Sequence, residues 1–296
     1  MMALRVADLT ALASVLQQSG GRIDYIAGGT DLIIERQGTP WANLIVDISQ
    51  TVGLDRIEAD AGFLRIGAGV TIARLIEDPL IGQTAPMLAR AAAQFGSAQI
   101  RNRATLGGNI AGAMPAADLL PVLKCHAVKV EIQRRSGVRE VLDFDAVVLG
   151  RGQTCLGNGD LILAVHLPLA EATGRISAFV KLGPRQAVTI ACLNLAALAD
   201  YGMASNRLRD VRIVAGALAP VPLRLEAVEA VLRDRPVDQA LVADFLHALG
   251  QTVDSAIPGR ASQPYKRQAI LGLGLDLLGD LFGRVFDCPI GMGQSA

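Results

Sequence analysis

Two glycine pairs, each set in otherwise apolar sequence, constrain this chain more than anything else in it. AGGTDL at residues 27–32 and LGGNIAG at residues 106–112 share one order: an apolar residue, two glycines, a short polar residue, then the start of a helix or tight turn. Adjacent glycines weaken both helices and strands, so they mark places where something approaches the backbone closely. Without a Cβ in the way, backbone N–H groups can converge on a ligand, and Thr30 or Asn109 adds a polar side chain; together these favour a phosphate. Taken singly, each loop reads equally well as a plain turn, since 31 of the 296 residues are Gly, and Thr30 or Asn109 as a helix cap. Neither loop fits G-x-G-x-x-G or the P-loop pattern, so neither of those nucleotide sites is supported.

Around the loops the pattern is mixed α and β. Leu9, Leu12, Val15 and Leu16 have helical spacing between Asp8 or Thr10 and Gln18, closed by Ser19-Gly20-Gly21. RIDYIAGG (22–29) reads as a strand and DLIIERQ (31–37) as a short helix. LIVDI (44–48) and FLRIGAG (63–69) read as strands, TIARLIED (71–78) and PMLARAAAQF (86–95) as helices. These strands are too short and irregularly spaced for a regular doubly wound sheet. DLLPVLKCH (118–126) reads as a helix with Pro121 in its first turn, and residues 127–144 as a hairpin turning at Ser136-Gly137. Residues 150–160 read as a loop before the strand LILAVHLP (161–168), and Pro168 through Gly174 as a boundary. Three strand-like runs follow (ISAFVKLG, TIACLNLAALAD, LRDVRIVAGALA), then helices near 223–233, 237–250 and 263–286. In the last helix Leu271, Leu275, Leu278, Phe282 and Val285 form one apolar face. The tail CPIGMGQSA reads as mobile.

Composition narrows the function. Basic and acidic residues balance at 28 each with no run of like charge, which excludes the electrostatic footprint of nucleic-acid or anionic-membrane binding. Cys125, Cys155, Cys192 and Cys288 lie 30 or more residues apart and His126, His166 and His247 are equally scattered, so no zinc or iron–sulfur spacing is present. Cys125-His126 reads as a buried thiol beside an ordinary histidine. With half the residues apolar but no apolar span of membrane-crossing length, and no signal-peptide pattern, the expectation is a cytoplasmic protein with a small-molecule ligand or protein partners.

The chain resembles the flavin-binding medium subunits of molybdenum-containing hydroxylases, such as the xanthine dehydrogenase and carbon monoxide dehydrogenase flavoproteins. AGGTDL resembles their first FAD loop and ATLGGN their second. QIRNRATLGGN (99–109), PAADLLPVL (115–123), GDLILAVHLP (159–168), FVKLGPRQ (179–186), VRIVAGALAPVPLRLEAVEAVL (211–232) and PYKRQAI (264–270) extend the likeness along nearly the whole chain. The resemblance implies an α+β fold: a two-part FAD-binding domain of the vanillyl-alcohol-oxidase-like type over residues 1–170, divided at about 52/53, and a small α+β C-terminal domain of the CO dehydrogenase flavoprotein type over 175–290, with 291–296 a mobile tail.

It also implies roles. Tyr25, Ile26, Ala27, Gly28, Gly29, Thr30, Asp31 and Leu32 would contact the pyrophosphate and ribityl chain of FAD, and Thr105, Leu106, Gly107, Gly108 and Asn109 would do so from the opposite side. Phe95 would lie near the adenine, Asp118 near ribose or ribityl hydroxyls, and Ile162 and Lys181 near the flavin ring. Phe95 reads equally as a core aromatic, Asp118 as an N-cap, and Lys181 as a surface lysine. Arg101 and Arg103 are candidates to balance the diphosphate charge or are simply solvated. No His precedes or occupies either loop, so the FAD is expected to be non-covalent. The implied role is electron relay from the iron–sulfur clusters of one partner subunit to an external acceptor, while a molybdenum-cofactor subunit hydroxylates the substrate, in a dimer of heterotrimers; no catalytic residue is required of this chain. The alternatives are a self-contained flavin-dependent oxidoreductase on the same scaffold, or a non-catalytic assembly or sensor protein.

Overall fold

The computed structural model describes residues 2–60, 62–169, 175–185, 188–202, 204–283 and 286; residues 170–174 of the expected boundary from Pro168 through Gly174, the apolar position Val285, Cys288 and the tail 291–296 lie outside them. The chain divides into two compact units, Met1–Met114 with His126–Ala172, and Pro115–Cys125 with Thr173–Ala296.

Among the described residues the first unit has a three-stranded sheet, a five-stranded sheet and a two-stranded hairpin. β1 (Met2–Arg5), α1 (Leu9–Gln18), β2 (Ile23–Ile26), α2 (Leu32–Glu35) and β3 (Leu44–Asp47) form a parallel layer of order β1-β3-β2, in which Met2 and Ile23 both align with Leu44. Of the two expected starts, Asp8 and Thr10, Asp8 is the one used: its side chain caps α1 by accepting from the Ala11 N–H at 2.8 Å. Leu12 and Leu16 of α1 bury against Val6, Ile23, Leu44, Val46 and Leu163. β1 was not anticipated: MALR has no period-2 alternation, and β3 supplies the pairing that makes it a strand.

β4 (Ile57–Asp60) and β5 (Phe63–Gly67) lead into a run of short helices: α3 (Ile72–Glu77), α4 (Pro79–Thr84), α5 (Pro86–Ala93), α6 (Ala98–Arg101) and α7 (Leu106–Gly112). After α8 (Leu119–Cys125), which belongs to the other unit, come β6 (Lys129–Gln133), β7 (Arg139–Asp143), α9 (Phe144–Val147), β8 (Val148–Gly150), β9 (Gln153–Thr154) and β10 (Leu161–Pro168). Among the described residues the second sheet has the order β4-β5-β10-β6-β7, antiparallel throughout. β10 is its centre, and Leu161 through Val165 are buried without alternation, as a strand covered on both faces requires. The β6–β7 turn carries Gly137 at φ +90°, where a side chain would be strained. The stretch expected as plain loop at 150–160 starts inside a small hairpin, β8 with β9.

In the second unit β11 (Ile176–Leu182), β12 (Leu193–Gly202), β13 (Arg207–Gly216) and β14 (Leu223–Arg224) form an antiparallel sheet, one strand more than the sequence suggests. Two-residue β14 is too short to show a period. α10 (Glu226–Leu232), α11 (Gln239–Ala256) and α12 (Gln263–Phe282) close its core, in which Leu195, Ile213, Phe245, Leu249 and Leu277 are fully buried. In α12 the buried face is centred on Ile270, Leu273, Leu277 and Leu281 as well as the expected Leu271 and Leu278, while Leu275 and Phe282 are only partly buried. α8 packs on β12 and β13, and the Cys125 thiol donates to the carbonyls of Ala196 and Arg212 at 3.8 and 3.5 Å. Burial pushes the Cys125 pKa up to about 12, which leaves it an inert packing residue.

Candidate functional site

The two glycine-pair loops meet within the first unit, around a cavity of about 300 Å³, at the lower end of the range for small-ligand sites. Tyr25 through Leu32 line it from the end of β2 and the start of α2. Thr105, Gly107, Gly108 and Asn109 line it from α7, with Phe95 after α5 and Ile162 from β10 completing the wall. Leu106 does not reach the cavity; it is fully buried beneath α7.

The two loops differ in what they offer. In the first, the N–H groups of Gly28, Gly29, Thr30, Asp31 and Leu32 donate to no other group among the described residues, although the carbonyls of Gly29 and Asp31 accept from Ile33 and Glu35. Five consecutive unengaged amides beside a cavity form a concave donor surface suited to an anion, and Gly29 at φ +74° supplies the bend. In the second loop the amides are already used. Leu106 donates to Val70 at 3.0 Å, Gly107 to Ala68 at 2.8 Å, Gly108 to the Thr105 hydroxyl at 3.1 Å and Asn109 to the Thr105 carbonyl at 3.0 Å. The expectation that both loops present backbone donors is therefore corrected: only the first does. The second contributes open surface at Gly108 and the Asn109 side chain, whose Oδ1 is buried without a hydrogen-bond partner.

The glycines, too, are bare for different reasons. A Cβ on Gly28 would lie 2.6 Å from the carbonyl carbon of Arg103, and one on Gly107 2.6 Å from the Cβ of Ala68. At both positions the chain packed opposite excludes a side chain: the Arg103 backbone at Gly28, and the Cβ and backbone of Ala68 at Gly107. At Gly108 a Cβ would meet only the Thr105 hydroxyl, at 3.0 Å.

The base of the cavity is tied by a polar clamp. The Tyr25 hydroxyl donates to the Gly159 carbonyl at 2.9 Å, and Asn158 bridges β2 by accepting from the Ile23 N–H at 2.9 Å and donating to the Gly21 carbonyl at 3.0 Å. Arg135 donates to the carbonyls of Gly21 and Ser19. Asp160 accepts from Arg134 and from the amides of Gly157 and Arg135. Burial, with Asp160 alongside, pushes the Tyr25 phenol pKa up, so it stays a neutral donor. Asp160 lines the cavity, as do Ala68, Gly69, Ala104 and Gly112, none of which the sequence singled out. The small-residue run Gly67-Ala68-Gly69 was the available signal.

Charge on the lining is acidic: Asp24, Asp31, Glu35 and Asp160 face the cavity with no Lys or Arg among the lining residues. Arg101 donates to the carbonyls of Phe95 and Gly96 at 3.1 Å each, and neither Arg101 nor Arg103 is among the residues that line the cavity. Asp118 and Lys181 belong to the second unit. They pair with each other at 2.6 Å, both buried, with Asn194 donating to Asp118 at 3.3 Å. Among the described residues no group of three or more His, Cys, Asp or Glu is placed to hold a metal ion, and no helix is long and apolar enough to cross a membrane.

A flavin dinucleotide fits this donor set. The unengaged amides match a diphosphate, the orphaned Asn109 Oδ1 awaits a donor, and the apolar side chains of Phe95 and Ile162 suit ring systems. Comparison with known proteins agrees. The family model for the FAD binding domain in molybdopterin dehydrogenase matches residues 1–170, and that for the CO dehydrogenase flavoprotein C-terminal domain matches residues 178–280. The chain is 30% identical over 247 residues to the xanthine dehydrogenase FAD-binding subunit of Escherichia coli O157:H7, covering 83% of this chain and 84% of that one. It is 27% identical over 271 residues to the nicotinate dehydrogenase FAD-subunit of Eubacterium barkeri, covering 88% of each. The crystal structure of quinoline 2-oxidoreductase from Pseudomonas putida 86 shares the fold, with a TM-score of 0.86 at 21% identity over 97% of this chain and 98% of that one.

Proposed function

This chain belongs to the FAD-binding medium subunits of the molybdenum-containing hydroxylases, an oxidoreductase family, and we propose that it is the electron-transfer subunit of such a complex. It would stand between the iron–sulfur clusters of one partner and an external acceptor, with the molybdenum cofactor in another. When bound, FAD supplies a carrier for two electrons. The observation that carries the reading is the run of unengaged amides from Gly28 to Leu32 at the cavity wall.

The residues of the chain then bind and orient. Gly28–Leu32 hold the diphosphate through neutral N–H donors, Asn109 accepts from a hydroxyl or amide of the cofactor, and Phe95 and Ile162 pack against its rings. The Tyr25–Gly159 and Asn158–Ile23 hydrogen bonds fix β2 and so the position of the loop it feeds. Lys181 is engaged by Asp118, and its part is to hold the second unit together. Similarity along most of the chain to FAD-binding subunits of this family favours relay over a self-contained oxidoreductase.

The same reading places the FAD-binding domain at about residues 1–170 with parts meeting near 52/53, the C-terminal domain at 175–290, the cofactor non-covalently held, and the whole in a cytoplasmic dimer of heterotrimers. Purification through a tag on this chain tests it: molybdenum and iron–sulfur subunits should accompany it, and anaerobic substrate should bleach its flavin absorbance only when they do. Bleaching of the isolated chain by an organic substrate would instead support the self-contained oxidoreductase.

A further inference from the structure

We infer that Asp31, seconded by Glu35, is a specificity-determining residue that makes this cavity favour a flavin dinucleotide over a flavin mononucleotide. The inference rests on the reading that the cavity holds FAD.

Of the four carboxylates on the lining, two are neutralised within the protein. Asp24 pairs with Arg36 at 2.8 Å and Arg22 at 3.5 Å, and Asp160 with Arg134 at 2.8 Å. Asp31 and Glu35, both exposed on the cavity rim, have no side-chain hydrogen bond or ion pair among the described residues. Asp31 reaches from the first loop towards α7: its Oδ2 lies 3.8 Å from where a Cβ on Gly112 would stand. An uncompensated carboxylate thus sits on the loop that carries the five open amides, and those amides are neutral.

Phosphate chemistry turns this arrangement into selectivity. A diphosphate diester, as in FAD, spreads its charge as one negative oxygen per phosphorus. A phosphate monoester, as in FMN, gathers about −1.5 to −2 on a single phosphorus. Repulsion by a carboxylate grows with the charge concentrated near it, and no guanidinium or ammonium among the lining residues offsets the monoester. Asp31 therefore weakens FMN more than FAD and leaves uncharged riboflavin unaffected.

The test uses the full chain freed of flavin and titrated with FAD, FMN and riboflavin, for the wild type, Asp31→Asn and Glu35→Gln. Asp31→Asn should tighten FMN by about two- to fivefold and FAD by less than about twofold, with riboflavin unchanged and Glu35→Gln smaller in the same direction. The substitution removes no helix cap, because the Asp31 side chain makes no capping bond and its backbone carbonyl, which accepts from Glu35, is retained. An unchanged thermal midpoint confirms that the fold is kept. An unaltered FMN-to-FAD ratio in the variant overturns the inference while wild-type uptake of FAD leaves the functional reading standing. Weakened FAD binding in Asp31→Asn also overturns it, since that marks Asp31 as an acceptor for a cofactor hydroxyl. Wild-type protein that takes up no FAD overturns the functional reading itself, and this inference with it.

Discussion

Gly28 packs against the carbonyl group of Arg103, so that a Cβ added to Gly28 would lie 2.6 Å from the Arg103 carbonyl carbon. The loops that wall the cavity are joined backbone to backbone, and their spacing is fixed by the fold rather than by a ligand. Gly28→Ala should therefore destabilise the chain by at least about 2 kcal/mol, since neither backbone can yield without moving its loop. Gly108→Ala, which meets only the Thr105 hydroxyl, should leave stability within about 0.5 kcal/mol and weaken flavin binding instead. Thermal unfolding together with flavin titration of the two variants separates these outcomes; equal destabilisation would mean that the loops do not differ in this way.

Thr105 caps α7, its hydroxyl accepting from the Gly108 N–H at 3.1 Å. Thr105→Val keeps the shape and removes the acceptor, orphaning that amide, and should cost about 1 kcal/mol in urea unfolding, with Thr105→Ser recovering most of it. A Val variant as stable as wild type would show that the cap contributes nothing.

Two carboxylates in the cavity wall give the first unit a defined acid response. Burial opposes ionisation of Asp24, but the Ala42 N–H and the guanidinium groups of Arg36 and Arg22 outweigh it and hold the pKa below the ordinary value. Burial likewise opposes ionisation of Asp160, and Arg134 with the amides of Arg135 and Gly157 outweighs it. A depressed folded-state pKa contributes stability that is present above the unfolded value, about 4, and is lost as pH falls through the folded one. Stability followed by circular dichroism should hold towards neutral pH and fall below about pH 4. Asp24→Asn or Asp160→Asn should be less stable at pH 7 and show a shallower acid slope; an unchanged slope in both would contradict the assignment.

In the second unit Lys181 and Asp118 bury a salt bridge, with side chains 4% and 7% exposed. Lys181→Met alone leaves a buried carboxylate without its cation and should cost about 3–5 kcal/mol, whereas adding Asp118→Leu should recover much of it. Chemical denaturation of the two single variants and the double checks this. A Lys181→Met chain of wild-type stability with an altered flavin potential would return Lys181 to the ring-side role expected from the sequence.

Much of this fold is legible in the sequence. The spacing of Leu9, Leu12, Val15 and Leu16 announces α1, the alternation of Val128, Val130 and Ile132 announces β6, and the apolar run at 161–168 matches β10 to the residue. AGGTDL and LGGNIAG were recognisable as a pair because local chain chemistry writes tight loops in Gly and a short polar residue. The physical reason for each glycine was not legible, because it depends on what lies opposite: Arg103 for Gly28, 75 positions on, and Ala68 for Gly107. The pairing of Lys181 with Asp118, and the return of Asn158 and Arg135 to the chain around Gly21, are likewise set by tertiary contact and leave no local pattern. Nor does spacing reveal that the amides of the second loop are taken up by Val70, Ala68 and Thr105.

The central claim is that the open amides from Gly28 to Leu32 hold a non-covalent FAD. Purify the full chain, precipitate it with acid, and measure the flavin released against protein. The account predicts close to one FAD per chain, all of it in the supernatant. A colourless chain that gains no flavin absorbance when FAD is added would contradict it.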